Sequence, residues 1–371
     1  MRSRLLVRLD AAIARTRDPV QLACLRAERA GFLGRHGQVE LARGQVHEIQ
    51  RQFARQPHVA VSGWLALAEG QIEQYANLGS ALACDRLKRA HALSAAAGMV
   101  PLQALSAAWL SHAHYLADEC ARMAACCAEA LRLAAPDHHA SRWRACLSAA
   151  VTFHYAGRLD MALPWYAAAR QHALADGDEV ALSAVLYNQA GLRADQARHL
   201  AAFGGAAGGA AAMHAAMGMD SVGHFDAGNG IQSMDWLVPI MRAQLLVLED
   251  RFEDALMLMD RHVERTPAGW HARMQAGLLA DRAWCLLHLG CEAEARDVLQ
   301  RAARAACSDA SDMDDRALAH ARLAQLYRHF GDPQRAAEHQ ARALLDRERY
   351  LVQQERTLSI VEPVLKELTP Q

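Results

Sequence analysis

The residues that could do chemistry are plentiful in this chain, but their spacing is wrong for it. Nineteen histidines and nine cysteines would make a metal site if three or four fell at ligand spacing on one helix face or around one turn. His112 and His114 are two apart, so they point to different sides of a helix. His138-His139 lies in a turn after Pro136, and no HExxH stretch occurs. The segment DAGNG, residues 226–230, has the composition of part of a calcium loop, but the other ligand positions are missing. Cys24, Cys84, Cys120, Cys126, Cys127, Cys146, Cys285, Cys291 and Cys307 are odd in number and form no CxxC pair. They fall mostly at helical core spacing, as reduced thiols of a cytosolic protein would. Cys126 and Cys127 are consecutive and therefore point to different faces.

Nucleophile and phosphate motifs are equally absent. The sequence has no GxSxG, no Walker stretch and no GxGxxG after a strand. The paired carboxylates Asp314-Asp315 and Glu292/Glu294 read as first-turn helix charges, which favour the macrodipole. The expectation is a protein without a catalytic constellation, metal or cofactor, whose function is binding.

Binding residues need elements to hold them, and composition says which. Of the 371 residues only 6% are aromatic. Alanine is abundant and alternating apolar/polar runs are almost absent, which favours an all-α chain. Forty basic against forty-one acidic residues leave no electrostatic footprint for nucleic acid or an anionic membrane. The start, MRSRLLVRLDAAIARTRD, is too interrupted by charge for a signal peptide's apolar core. No uninterrupted apolar run of about 18 residues exists, so no membrane span is expected.

The clearest unit is residues 317–345, ALAHARLAQLYRHFGDPQRAAEHQARALL. Apolar positions recur at helical spacing on both sides of Gly331-Asp332-Pro333, which makes a helical hairpin. Gly331 can end the first helix in a left-handed conformation, and Pro333 suits the first turn of the next. One hairpin cannot bury its apolar face alone, so a stacked series is expected. A lead helix over about 3–16 precedes hairpins at 22–49, 63–97, 101–134, 140–175 and 179–217. Periodicity lapses over 219–233, the longest loop candidate. Hairpins follow at 236–266, 272–306 and 317 onward, the last running on helically and broken or bent near Pro363. The chain therefore reads as an N-terminal block 1–217, a linker 218–233 and a C-terminal block 234–371. In the fifth hairpin Gly204, Gly205, Gly208 and Gly209 weaken a helix by about 1 kcal/mol each. They mark either a very closely packed helix or a hinge.

Laid on their turns, these hairpins resemble the tetratricopeptide repeat family. The small residues of the first helices are Ala30, Ala150, Ala243, Ala283 and Ala324. The large residues three further on are Leu33, Phe153, Leu246, Leu286 and Tyr327. The second-helix alanines are Ala42, Ala162, Ala255, Ala295 and Ala336. Five repeats match well and three loosely. The resemblance implies an all-α, right-handed superhelical solenoid of about eight hairpins with a helical C-terminal extension. Its style is similar to the helical-repeat arms of bacterial signalling proteins, although no GG[DE]EF-type stretch or helix-turn-helix follows Leu351. On that likeness it is a stand-alone arm whose output is a partner.

The family's inward register positions fall on Glu28, Arg35, His154, Tyr155, Tyr187, Asn188, Met241, Gln244, Asp281, Trp284, Arg322, Gln325 and Arg328. The resemblance implies that these line a concave groove. There Asn, Gln and Arg suit a peptide backbone or carboxylate, and Trp and Tyr give apolar anchors. The family's chaperone-type carboxylate clamp is incomplete here. The expected function is a cytoplasmic, non-enzymatic module that binds a peptide or helix of a protein partner. The competing readings are a sensor whose groove takes a small signalling molecule or peptide and, third, an enzyme on a helical toroid. Past the eighth hairpin, Leu344, Leu351 and Leu358 recur at the coiled-coil interval. That helix either folds back to cap its own hairpin or pairs two copies of the chain.

Overall fold

A computed structural model describes residues 3–204, 208–308 and 311–370. Among them are seventeen α-helices, two single 3-10 turns and no strand. After α1 (Arg4–Arg15) the helices come in pairs: α2 (Pro19–His36) with α3 (Val39–Gln52), α4 (Val59–Ala76) with α5 (Ala81–Ala96), and α6 (Val100–Leu116) with α7 (Cys120–Leu133). Then follow α8 (His139–Tyr155) with α9 (Leu159–Asp176), α10 (Glu179–Phe203) with α11 (Gly208–Asn229), and α12 (Leu237–Leu248) with α13 (Phe252–His262). The last pairs are α14 (Ala268–His288) with α15 (Glu292–Ala305), and α16 (Met313–His329) with α17 (Pro333–Leu365). These are the eight expected hairpins behind a lead helix.

Local chemistry sets the ends. Asp18 caps α2 by accepting the Gln21 N–H at 2.6 Å, with Pro19 in the first turn. Gly37 closes α2 at φ 101°, and a Cβ there would meet the backbone of Gln232 and Ser233 at 2.6–2.7 Å. Glycine is thus needed twice, for the left-handed turn and for the strand of chain that crosses it. Gly331 takes φ 75°, as the turn between the last two helices requires.

The core lies between paired helices and is built on small residues. Ala30, Ala150, Ala243, Ala283 and Ala324 have no exposure, nor do Ala42, Ala162, Ala255 and Ala295. A helix pair can approach closely only where the side chain stops at Cβ, so a larger residue at one of these positions costs about 1–3 kcal/mol in overpacking.

The chain forms two compact units. One comprises Met1–Leu186, Phe225–Met234 and Arg356–Gln371; the other comprises Tyr187–His224 and Asp235–Glu355. The expected division placed the break at 218–233. The loop assigned there is a correction: α11 stays helical to Asn229. Its buried face is Ala212, Ala215, Ala216, Met219 and Val222, a row of mostly small residues whose apolar contrast is too weak to read. Gly218 lets α11 approach α10, since a Cβ would lie 3.1 Å from that of Ala190. The glycine run itself separates α10 from α11, with Gly204 in a turn and Gly208 opening the next helix. Gly205 lies outside the described residues.

The last turns of the terminal helix do not fold back to cap its own hairpin. The helix continues past Pro363 to Leu365, and Val361 and Leu365 are fully buried within the N-terminal unit. There the Cys120 Sγ lies 3.5 Å from the Thr357 hydroxyl. No helix of the described residues is long and apolar enough to cross a membrane, and all nine cysteines are free thiols.

Candidate binding groove

In the N-terminal unit the first helices of four hairpins turn their inner faces to one place. Glu28, Phe32 and Arg35 of α2, Trp64 and Gln71 of α4, Trp109 of α6 and Trp143 of α8 line a cavity of about 30 Å³. That is room for one or two waters. The opposite wall is Leu5 and Leu9 of α1, with Asp176 at the end of α9 and Asp178 from the turn that follows.

The lead helix therefore lies in the groove. Leu5 and Leu9 are buried against Phe32, Val180 and Ile231. Burying two leucines is worth about 1.5–3 kcal/mol each. Polar contacts fasten its first two turns to the α9–α10 turn. The Leu5 N–H donates to the Gly177 carbonyl at 3.0 Å, and Arg4 donates to the Leu174 carbonyl at 3.0 Å. Arg8 reaches the Asp176 carboxylate at 2.5 Å, and the Ser3 hydroxyl donates to Glu179. On its other side Asp10 accepts from Arg29 of α2 at 2.7 Å.

Charge under α1 is unusually buried. Arg35 and Asp178 pair at 2.8 Å. The second Asp178 oxygen caps α10 by accepting the Ala181 N–H at 2.9 Å. Burial disfavours the Arg35 charge, but Asp178 outweighs it and the pKa rises. Burial pushes Glu28 up to about 7, helped by repulsion from Asp176 and opposed by Arg8 and Arg35. Burial likewise lowers Arg144 to about 10 and raises the Tyr75 phenol.

In the second unit the centre is Arg198 of α10. It lies 3.3 Å from Asp315, 3.4 Å from Asp195 and 4.0 Å from Asp281. Arg322 of α16 reaches Asp281 of α14 at 3.3 Å and donates to the Gln325 side-chain oxygen at 2.9 Å. Its guanidinium sits 4.6 Å from the centre of a Trp284 ring. Acid is in excess here. Burial and the repulsion of Asp315 push Asp195 up to about 6 against the pull of Arg198, and burial with three neighbouring aspartates raises Asp314 well above the usual range. Farther along α10, His199 stacks on Tyr350 at 5.2 Å, and Arg347 covers Phe203 at 4.9 Å.

Of the residues expected to line the groove, Asp281, Trp284, Arg322 and Gln325 come together in this network. Glu28 and Arg35 line the cavity beneath α1. Tyr155 is half-buried at the end of α8, and Tyr187 and Asn188 are half-buried on α10. Gln244 is fully buried on α12 with both amide atoms lacking a hydrogen-bond partner, and Met241 is buried beside it in sequence. Arg328 is exposed in the last turn of α16, outside the network. His154 departs from the expectation: its Nδ1 lies 3.1 Å from the Tyr166 hydroxyl of α9, so it belongs to the contact within its own hairpin. Arg144, Trp109, Trp143 and Arg198 were not anticipated. Arg144 stands six residues before Ala150, on an inward position of the repeat register, so the register could have found it; Arg198 had no such signal.

Among the described residues no group of three or more histidine, cysteine, aspartate or glutamate side chains is placed to hold a metal ion.

No protein-family model matches the chain, and no curated protein matches it. Among solved structures, the chain is similar to a Rap protein complexed with Competence and Sporulation Factor. The TM-score is 0.54 at 12% identity, over 94% of this chain and 92% of that one. At that identity the likeness is one of fold, a TPR-like helical repeat along nearly the whole length.

Proposed function

We propose that this chain is a non-enzymatic helical-repeat module of bacterial regulation that grips a peptide or an amphipathic helix of a protein partner along the inner faces of its first helices. The observation that carries the reading is α1. A short amphipathic helix already occupies the inner face of the N-terminal unit, with two leucines inserted and its polar face tied to the rim. A surface that accepts such a helix from its own chain has the shape and chemistry to accept one from another. The solved relative of similar fold was itself captured with Competence and Sporulation Factor bound. In the second unit Trp284 supplies an apolar plane, and Arg322, Gln325 and Asp281 supply polar groups beside it. Its excess of carboxylates suits a basic segment.

The sensor reading draws on the way α1 is held. Its first turns are fixed by a handful of polar contacts, so a ligand entering beneath it would shift the helix.

Affinity capture with the full chain, followed by mass spectrometry and peptide mapping, tests the proposal. The expected result is one stoichiometric protein, bound through a short segment and lost with Trp284→Ala plus Arg322→Ala. Capture that is indifferent to those substitutions would contradict it.

A further inference from the structure

The lead helix is held lightly for the surface it covers. Only Leu5 and Leu9 of its twelve residues are buried, and a helix of about 12 residues is only marginally stable in water by itself. Its arginines hold it from outside. Arg4 and Arg8 are exposed, and both reach the end of α9. Arg4 donates to the Leu174 carbonyl at 3.0 Å, while Arg8 donates to the Asp176 carbonyl at 3.0 Å and to its carboxylate at 2.5 Å. The backbone N–H groups of Arg4 and Leu5 donate to the Glu179 carboxylate at 3.2 Å and to the Gly177 carbonyl at 3.0 Å. Those are donors that the first turn of a helix leaves open. The end of α9 is thus a negative pole of terminal carbonyls and two carboxylates, which reads the start of a basic helix. Gly177 permits the approach, since a Cβ there would lie 2.9 Å from the Arg4 Cβ. The face beneath is built unlike the rest of the core. Paired helices elsewhere close on alanine, whereas this face carries Phe32, Arg35 and three of the chain's seven tryptophans, Trp64, Trp109 and Trp143. Tryptophan and arginine are the residues that anchor interfaces.

We propose that α1 is a built-in occupant that masks an interaction surface of the N-terminal unit, and that the partner displacing it is an amphipathic helix of α1's own pattern. The proposal rests on the reading that inner faces take a partner's helix, and it names that helix for this unit. Two apolar side chains four residues apart share one helix face and take the places of Leu5 and Leu9. A basic residue before each, as Arg4 and Arg8 stand before Leu5 and Leu9, meets the negative pole. An acidic helix would be repelled by Asp176 and Glu179. Because α1 is tethered by the short stretch Thr16–Asp18, it competes at an effective concentration on the order of millimolar. A free helix therefore binds the intact chain weakly and a chain with α1 released far better.

The test is a titration, followed by fluorescence anisotropy, of a labelled synthetic peptide of residues 3–17 with the full chain. Wild type is compared with Arg4→Glu plus Arg8→Glu, which changes only exposed residues of α1, and with Leu5→Ala plus Leu9→Ala, which releases the same surface from its apolar side. Both released chains are expected to bind the peptide saturably, and wild type at least about 10-fold more weakly. Peptides that themselves carry either pair of substitutions should bind the released chains at least about 10-fold more weakly than the native peptide. Failure of both released chains to bind, or equal binding by them and by wild type, would overturn the proposal. So would a wild-type dimer that Leu5→Ala plus Leu9→Ala dissolves, which would make α1 a strap between two copies. A partner still captured through Trp284 and Arg322 would leave the groove reading standing in either case, so the two fail separately.

Discussion

Arg35 of α2 and Asp178, at the start of α10, meet at 2.8 Å with both side chains almost wholly out of solvent. The pair joins the first hairpin to the residue that caps the fifth, and α1 lies across the same two places. A buried ion pair and a short helix thus tie the same two places together.

Removing one partner of a buried pair strands the other charge, which costs about 3–5 kcal/mol. Asp178→Asn keeps the side-chain cap on Ala181 but loses the charge. Its thermal unfolding should fall accordingly, whereas Arg43→Gln, on an exposed pair with Glu40, should be near neutral. Equal effects from the two substitutions would mean that the buried pair contributes no more than a surface one.

Glu28 sets a pH dependence whose sign is fixed. Its folded pKa, about 7, lies above the unfolded value. The folded state therefore binds the extra proton, and stability falls as pH rises from about 4.5 to about 7. Buried histidines such as His112, held well below the ordinary value, act in the opposite direction as pH falls below about 6.5. The difference between wild type and Glu28→Gln isolates the carboxylate. Melts at pH 5.5 and pH 8 should show Glu28→Gln gaining on wild type at the higher pH, and a constant difference would refute the shift.

Leu5→Ala with Leu9→Ala should release α1 and leave the hairpins folded. Leu→Ala in a packed site costs about 2–5 kcal/mol. Hydrogen exchange should then show amides of residues 5–15 losing protection while those of α4 and α6 keep theirs. Protection lost together across the whole unit would make α1 part of the core and not an occupant of the groove.

The first part of α17 leaves an apolar stripe in water: Leu344, Leu345, Leu351 and Val352 are each about half exposed. Such a stripe at the coiled-coil interval favours pairing of two copies. Light scattering on the intact chain should give a mass that rises with concentration toward a dimer, and Leu344→Glu with Leu351→Glu should hold it at 40.6 kDa. A monomer at every concentration in both forms would remove the stripe from any role in assembly.

How much of this was legible in the sequence follows from what each feature depends on. Gly37, Gly157, Gly290 and Gly331 announce the turns because only glycine takes their left-handed backbone freely, and all four have positive φ. The alanines on which paired helices close were legible for the same reason, a local steric demand. The part of α11 beyond Met217 was not, since Ala, Gly and Met along the helix give little contrast with their neighbours. The groove was half legible. The register put Asp281, Trp284, Arg322 and Gln325 on one face, and those four do meet. It could not foresee that Arg198, distant in sequence, would join Asp281, or that the first leucines of the chain would fill the N-terminal groove. Those depend on which segments the fold brings back upon itself.

A partner's segment lying along the inner faces would lose affinity for variants of those faces. The measurement is calorimetric titration of the mapped partner peptide into the full chain and into Arg322→Ala and Asn188→Ala, with Arg43→Gln as a control. Losing one desolvated polar contact costs about 1–3 kcal/mol, or about 5- to 150-fold in Kd. Losses in that range are expected for both groove variants, and none for the control. Wild-type affinity in both groove variants would contradict it.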